Sequence, residues 1–431
     1  MRIGIVLDWN VNASSLMNIN RNLFRELGKI MNETKSFTIS AIKESSVGIG
    51  DINHHYDVIH IPNMGGYRFP VIPAQNCKNL ILGLSGIDEV IYGNEVFTDS
   101  SRWKIQEPLI KTAINNWKSN IDKIKSIHVV TSSEYNEMHQ YLGIPHKKMT
   151  IIPHGVNHDF FKPPTNKEKT RKEILHKFHI PESRYFLHVG ETNWKRKNHL
   201  RIIEAYAKAK KSGLKHSMIF VGKYNSKIKK IGEKIPGVFF LGWLSNEYML
   251  KFMQGADAFI LPSIHEGFGM PLVESMACGV PCITSNNHAP PEVVGNSGLL
   301  VNPRDASEIS EKMLQIVNDK LQAELSKKAI NQAKLFSWED SAKKILNLYD
   351  NGGMQTNTFE EDYEVAAYRT LTTVCELYPD SKQRLIESLL QFDYSKMISW
   401  ALEDGLYDEK TRDFLLPFES WLNKQNTIMA D

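Results

Sequence analysis

The stretch Ala258-Phe259-Ile260-Leu261-Pro262-Ser263-Ile264-His265-Glu266-Gly267-Phe268-Gly269-Met270-Pro271-Leu272-Val273-Glu274 decides the fold of this chain. Ala258 to Leu261 has the length and apolar composition of a buried parallel strand, and Pro262-Ser263 ends it. Pro271 suits a first helical turn, because its fixed φ is helical and its missing N–H would have no intrahelical partner there. Gly279, after Ala277-Cys278, would close that helix, and Val280 to Thr284 reads as the next strand. The segment is one βαβ unit.

A binding site follows from the same residues. Gly267 and Gly269 let the backbone approach a ligand, and the free N–H groups at the helix start, Met270, Leu272 and Val273, would face an anion. Glu266 falls in the loop and Glu274 about one turn into the helix. Two acids beside an anion cannot both face it, so each is better suited to accept hydrogen bonds from hydroxyls. A ligand with phosphate in the middle and hydroxyl-rich groups on either side fits: a nucleotide diphosphate sugar. Two solvated acids around a turn is the bland reading of most Glu pairs, and the strand, glycines and proline around this pair argue against it.

A second motif follows another apolar run, in Gly190-Glu191-Thr192-Asn193-Trp194-Lys195-Arg196-Lys197-Asn198. Three cations beside a glycine-ended strand would suit a diphosphate, Arg as a fork and Lys as a point charge.

The segment Pro262 to Glu274, continuing through Ala277-Cys278-Gly279-Val280-Pro281 to Pro291-Glu292-Val293-Val294-Gly295, resembles the donor-site signature of retaining glycosyltransferases of family 4. The resemblance implies the α/β fold called GT-B, two Rossmann-like doubly wound domains facing a cleft. It implies that Glu274 binds the nucleotide ribose, that Glu266 binds hydroxyls of the donor sugar, and that backbone amides of Gly267, Phe268 and Gly269 serve sugar and diphosphate. Arg196 and Lys197 match the family's Arg-Lys-Asn pyrophosphate motif, although Glu191 stands where many members place an Arg. Gly222-Lys223 and Gly242-Trp243-Leu244 resemble the loops that line the base. Motif form is nearest to mannosyltransferases using GDP-mannose, with UDP-linked glucose or N-acetylglucosamine next.

The first part of the chain departs from the family. Relatives often carry a Gly pair after the first strand, where this chain has Asp8-Trp9-Asn10-Val11-Asn12. They often carry a His-Asp pair after the strand equivalent to Leu80 to Leu84, where this chain reads Ser85-Gly86-Ile87-Asp88. Asp88 and Asn10 are the acceptor-side candidates that remain.

The wider pattern assigns three parts. Residues 1–155 read as a Rossmann-like acceptor-side domain with strands at Ile3 to Leu7, Val58 to Ile61, Leu80 to Leu84 and His128 to Thr131. Residues 156–350 read as the donor domain, with strands at Phe186 to Val189, Met218 to Val221, Val238 to Leu241, Ala258 to Leu261, Pro281 to Thr284 and Leu299 to Val301. In the family the last helix crosses back to the first domain. Residues 351–431 form an acidic helical extension outside the resemblance, a site for a protein partner or self-association. Fifteen acidic against seven basic residues from position 352 onward leave the body strongly positive within a net charge of +3.

Composition sets outer limits. A chain with 42% hydrophobic and 23% charged residues is globular in character. Four scattered cysteines imply no disulfide framework, and Cys278 and Cys282 lack a second Cys/His pair, so they read as packing residues. No Asp-x-Asp, His-Glu-x-x-His or Cys/His cluster occurs, so neither a metal nor a cofactor is expected beyond the GDP- or UDP-sugar itself. Scattered lysines without a nucleic-acid motif argue against nucleic-acid binding. The five-residue apolar start is too short for a signal core, and the expected location is cytoplasmic. Residues 102 to 125, with Trp103, Trp117 and six basic residues, would suit peripheral contact with anionic lipid and hence a glycan or lipid-linked acceptor. The alternative is a surface helix with Ile105, Leu109, Ile110 and Ile114 packed inward.

The function expected is transfer of a hexosyl group, mannosyl first, to an acceptor hydroxyl with retention at the anomeric carbon. Arg196, Lys197 and the helix start would stabilise the leaving phosphate. A scaffold that binds sugar nucleotides without turnover, or a nucleotide-sugar epimerase of the same fold, are the alternatives.

Overall fold

The computed structural model describes residues 1–6, 14–34, 36–42, 56–65, 79–96, 100–192 and 195–350. Asn10, with the rest of the loop after the first strand, and the extension 351–431 lie outside the described residues.

Among the described residues, twelve parallel strands form two sheets of six. The first runs in the order β2 (Thr38–Ile42), β1 (Arg2–Val6), β3 (Val58–Gly65), β4 (Leu80–Ser85), β5 (Ser126–Val129), β6 (Met149–Ile151). The second runs β12 (Gly298–Val301), β11 (Cys282–Ser285), β10 (Ala258–Leu261), β7 (Tyr185–Val189), β8 (Ser217–Val221), β9 (Val238–Phe240). Helices cover both faces, so the strands are mostly apolar and buried on both sides instead of alternating. All six expected strands of the second sheet form within two residues of their expected bounds. In the first sheet β2 and β6 form where no strand was expected. Thr131, expected in a strand, instead caps the helix Ser132–Leu142, its hydroxyl accepting from the Glu134 amide at 3.2 Å.

The second sheet reverses its strand order between β7 and β10, and ligands of doubly wound sheets bind beyond the strand ends at such a point. Both loops singled out from the sequence leave from this pair: 190–198 follows β7 and 262–269 follows β10.

The chain crosses between the sheets twice, and the crossings touch. Val156 bridges Ser337, the Val156 amide donates to the Phe336 carbonyl at 3.2 Å, and the Ser341 hydroxyl donates to the Pro153 carbonyl at 2.6 Å. The helix Trp338–Asp350 then returns to the first sheet. Trp338, Ala342, Ile345, Leu348 and Tyr349, three or four residues apart, present one apolar stripe to Ile3, Leu23, Leu27 and Met31.

Among the described residues no helix is long and apolar enough to cross a membrane. The helix Ser100–Asn120 buries Ile110 and Trp117, while Ile105 and Leu109 are 68% and 56% exposed beside exposed Lys104, Lys111 and Lys118. Its outward face is therefore apolar as well as basic, and Trp117 is a core residue.

Candidate functional site

The loop after β7 folds as a 3₁₀ turn over Lys195–Lys197, and the loop after β10 is stapled to it. Asn198 takes a left-handed conformation (φ 63°), and its side-chain amide donates to the Pro262 carbonyl at 2.7 Å. The Ile264 amide donates to the Arg196 carbonyl at 2.7 Å. The Arg-Lys-Asn stretch thus contributes two cations and the residue that holds their turn against the Glu266 loop.

Those cations meet Glu266. Lys197 Nζ lies 2.6 Å from Glu266 Oε1, and Arg196 Nη1 lies 3.3 Å from Oε2. Burial alone would raise this carboxyl, yet the Lys197 and Arg196 charges more than offset it and hold it at about 2. Arg196 also reaches across the cleft, its Nε 3.0 Å from Oδ2 of Asp88, the first residue of the short helix Asp88–Tyr92. Two acids and two bases from both sheets therefore converge, and Asp88 is the acceptor-side candidate that the structure brings to the donor-side residues. Next to it, burial lifts the Glu89 carboxyl to about 7.

Gly269 begins the helix Met270–Ala277 in a left-handed conformation (φ 90°) that a side chain would strain, and Gly279 (φ 74°) follows its end. Pro271 sits in the first turn. Phe268 and Leu272 turn their side chains into the core, Phe268 against Phe336 and His154, so they meet a ligand only through their backbone. The side chain of Glu274, half-buried on this helix, has no hydrogen bond or ion pair among the described residues, and desolvation pushes its carboxyl up to about 7. Gly190 directly follows β7 beneath the Lys197 side chain, and Gly242 follows β9, its carbonyl accepting from the Gly222 amide at 2.8 Å. Cys278 and Cys282 are buried free thiols.

The first sheet closes over the Glu266 loop through residues the sequence did not single out. The Thr131 hydroxyl donates to the Gly267 carbonyl at 3.1 Å, and a Cβ on Gly267 would stand 2.1 Å from Glu134 Oε1. Glu134 accepts from the Gly86 amide at 2.6 Å, and burial raises its carboxyl to about 8. The Ser132 amide donates to the Glu292 carboxylate at 2.9 Å. Glu137 bonds His265 and His288, and the Tyr92 hydroxyl lies 2.5 Å from His288 Nε2. Nothing in the spacing of Tyr92, Glu134, Glu137 and His288 marks them: they belong to ordinary helices and loops, and only the facing of the two sheets joins them to the Glu266 loop.

Two facing doubly wound sheets with this loop pair at the switch point of the second define a GT-B glycosyltransferase fold. Residues 170–336 match the family "Glycosyl transferases group 1", and the chain carries a domain of that family. It is similar to O-antigen chain mannosyltransferase B of Escherichia coli, 32% identical over 41% of this chain and 48% of that protein. It is also similar to the serotype-specific mannosyltransferase WbdA of Escherichia coli, 24% identical over 72% of this chain and 38% of that one. The chain thus spans half or less of the length of these curated relatives. Among solved structures, HepE of Anabaena in complex with UDP-glucose superposes with a TM-score of 0.63 over 81% of this chain and 100% of that one, at 15% identity, a likeness of fold.

Proposed function

We propose that the chain is a retaining hexosyltransferase that moves a sugar, mannose first, from a nucleotide diphosphate to a hydroxyl of a glycan or lipid-linked glycan. The observation that carries this reading is the meeting of Lys197, Arg196 and Glu266 at the switch point of the second sheet, with the unpartnered carboxyl of Glu274 on the adjoining helix. A diphosphate entering there would take over the two cations, and negative charge building on the leaving phosphate would meet them in a buried site, where such charges act most strongly. Glu266, released from part of that pairing, would accept hydrogen bonds from the sugar hydroxyls. Glu274 would accept from the ribose, which supplies the donors it lacks. Asp88 is positioned to keep Arg196 aimed into the cleft from the acceptor side. The mannosyltransferase relatives favour mannose.

Incubation with GDP-mannose, UDP-glucose and UDP-N-acetylglucosamine, with and without a lipid or glycan extract, tests the reading by nucleotide release. Acceptor-dependent release from one donor is expected, with the α or β configuration of the donor kept in the product by NMR. Binding of all donors without turnover would favour a scaffold instead. Glu274→Ala should weaken nucleoside diphosphate binding roughly tenfold to hundredfold, as loss of hydrogen bonds to a charged group does. Glu266→Gln should chiefly lower kcat. Full activity in both variants would remove the site assignment.

The outward face of the helix Ser100–Asn120 supports contact with an anionic membrane surface, where a lipid-linked acceptor would lie. Ile105 and Leu109 supply the apolar component and Lys104, Lys111 and Lys118 the charge. Replacing the three lysines by Glu should abolish sedimentation with phosphatidylglycerol vesicles; unchanged sedimentation would reject this contact.

A further inference from the structure

Glu137, His265 and His288 are far apart in the sequence, and the closure of the two sheets gathers them. Glu137 comes from the helix Ser132–Leu142 of the first sheet, His265 from the loop after β10, and His288 from the segment after β11. His265 Nε2 lies 3.0 Å from Glu137 Oε2, and His288 Nδ1 lies 2.7 Å from Glu137 Oε1. One ligand atom from each residue falls within 4.8 Å of the others.

Glu137 and His265 are buried. Among the described residues the only ion pairs of Glu137 are with these two rings, which carry charge only when protonated. With both rings neutral, the buried carboxylate faces hydrogen-bond donors but no cation, and a bound ion would supply the missing positive charge. Neutral imidazole is also the form that binds metals.

The surrounding groups are those a metal ligand needs. At 2.7 Å from the carboxylate, His288 Nδ1 donates its proton to Glu137 and Nε2 accepts from the Tyr92 hydroxyl at 2.5 Å; an ion taking the place of the Nδ1 proton would leave Nε2–H to donate to that same hydroxyl, which fixes the ring in either state. The Ser133 hydroxyl donates to Glu137 Oε1 at 2.8 Å and orients the carboxylate. Two imidazoles and one carboxylate are the donor set of many three-ligand zinc sites, which need metal–ligand distances of about 2.0–2.2 Å. Small rotations that part the carboxylate from the rings would make that room.

We propose that Glu137, His265 and His288 form a transition-metal site, best suited to Zn²⁺, that clamps the first sheet's helix to the loops flanking Glu266. None of the three belongs to the Glu266, Lys197 and Arg196 cluster, so the ion serves closure and not the diphosphate. It acts on the site through the chain: the His265 carbonyl is 3.5 Å from Arg196 Nη1, and Glu266 follows His265 directly. An ion whose ligands come from both sheets binds only the closed arrangement fully and shifts the population toward it.

The test uses the full chain, freed of metal by a chelator and titrated with ZnCl₂ by calorimetry, with CoCl₂ as the spectroscopic probe. One Zn²⁺ per chain is expected, with visible Co²⁺ bands of a low-coordinate site and a higher Tm on Zn²⁺ addition. His288→Ala should weaken Zn²⁺ binding at least about tenfold. His288→Cys should restore binding and add a sulfur-to-cobalt charge-transfer band, a signature that a purely structural histidine would not give. His146→Ala removes a ring that stacks on Tyr135 elsewhere, at 4.6 Å between centroids, and should leave Zn²⁺ binding intact. The proposal is overturned if Zn²⁺ binding survives His288→Ala, is lost in His146→Ala, or does not occur. It is also overturned if His288→Cys binds Co²⁺ without the new band.

Discussion

Glu274 is a half-buried carboxyl with no partner among the described residues, and desolvation moves its titration to about 7. An ionised carboxylate is the stronger acceptor, because hydrogen bonds to it are charge-assisted. Nucleoside diphosphate affinity should therefore rise with pH through about 7 in the wild type. In Glu274→Gln that component should be missing, leaving only the titration of the phosphate. A calorimetric pH series on both proteins checks this, and parallel curves would rule out a role for the Glu274 charge. The two glutamates, the cations and the helix-starting Pro271 were legible in the sequence, because their chemistry and their strand-loop-helix context lie in short continuous stretches. Glu134, Glu137, Tyr92 and His288 were not, since each gains meaning only from a residue of the other sheet.

Elements differ in legibility for a related reason. The strands of the second sheet are apolar runs between punctuating residues, and they formed where expected. β6 has three residues with one exposed, too short and too polar to announce itself, and it sits at the sheet edge. How the base of the second sheet is tied was also hidden. Asp257, just before β10, is buried and accepts from Arg171 and Arg184, with Lys167 at 3.3 Å and His216 at 3.0 Å. Burial would raise this carboxyl, and its hydrogen bonds and cationic neighbours instead hold it well below the usual range. A depressed folded-state pKa contributes stability that is present above the ordinary carboxylate pKa and lost as pH falls through the folded value. Asp257→Asn, which strands buried cations, should cost about 3–5 kcal/mol at pH 7. In denaturant titrations the gap to wild type should narrow as the pH is taken below about 4; a constant gap would deny the charge its role.

At the scale of the whole molecule, closure of the cleft depends on how near Gly267 can come to Glu134. A Cβ there would stand 2.1 Å from Glu134 Oε1, an atom held in place by the Gly86 amide, and 3.1 Å from that backbone nitrogen itself, so Gly267→Ala should hold the sheets apart. A larger radius of gyration by small-angle scattering and a lower kcat are expected, with nucleoside diphosphate binding changed less than turnover; an unchanged radius would show that closure tolerates the methyl group. The returning helix Trp338–Asp350 has a consequence of another kind, for the order in which the chain is built. The core of the first sheet includes Trp338, Ala342, Ile345, Leu348 and Tyr349 beside Ile3, Leu23 and Leu27. On the ribosome, the amino-terminal half therefore waits for a helix made after the whole second sheet. The strands of the second sheet all lie between Tyr185 and Val301, and its core takes in Ala329, Ala333 and Phe336, just before the returning helix. Although its strands are made by Ile151, the first core thus stays unfinished until the last described helix emerges, and is exposed meanwhile to the aggregation that such intermediates suffer.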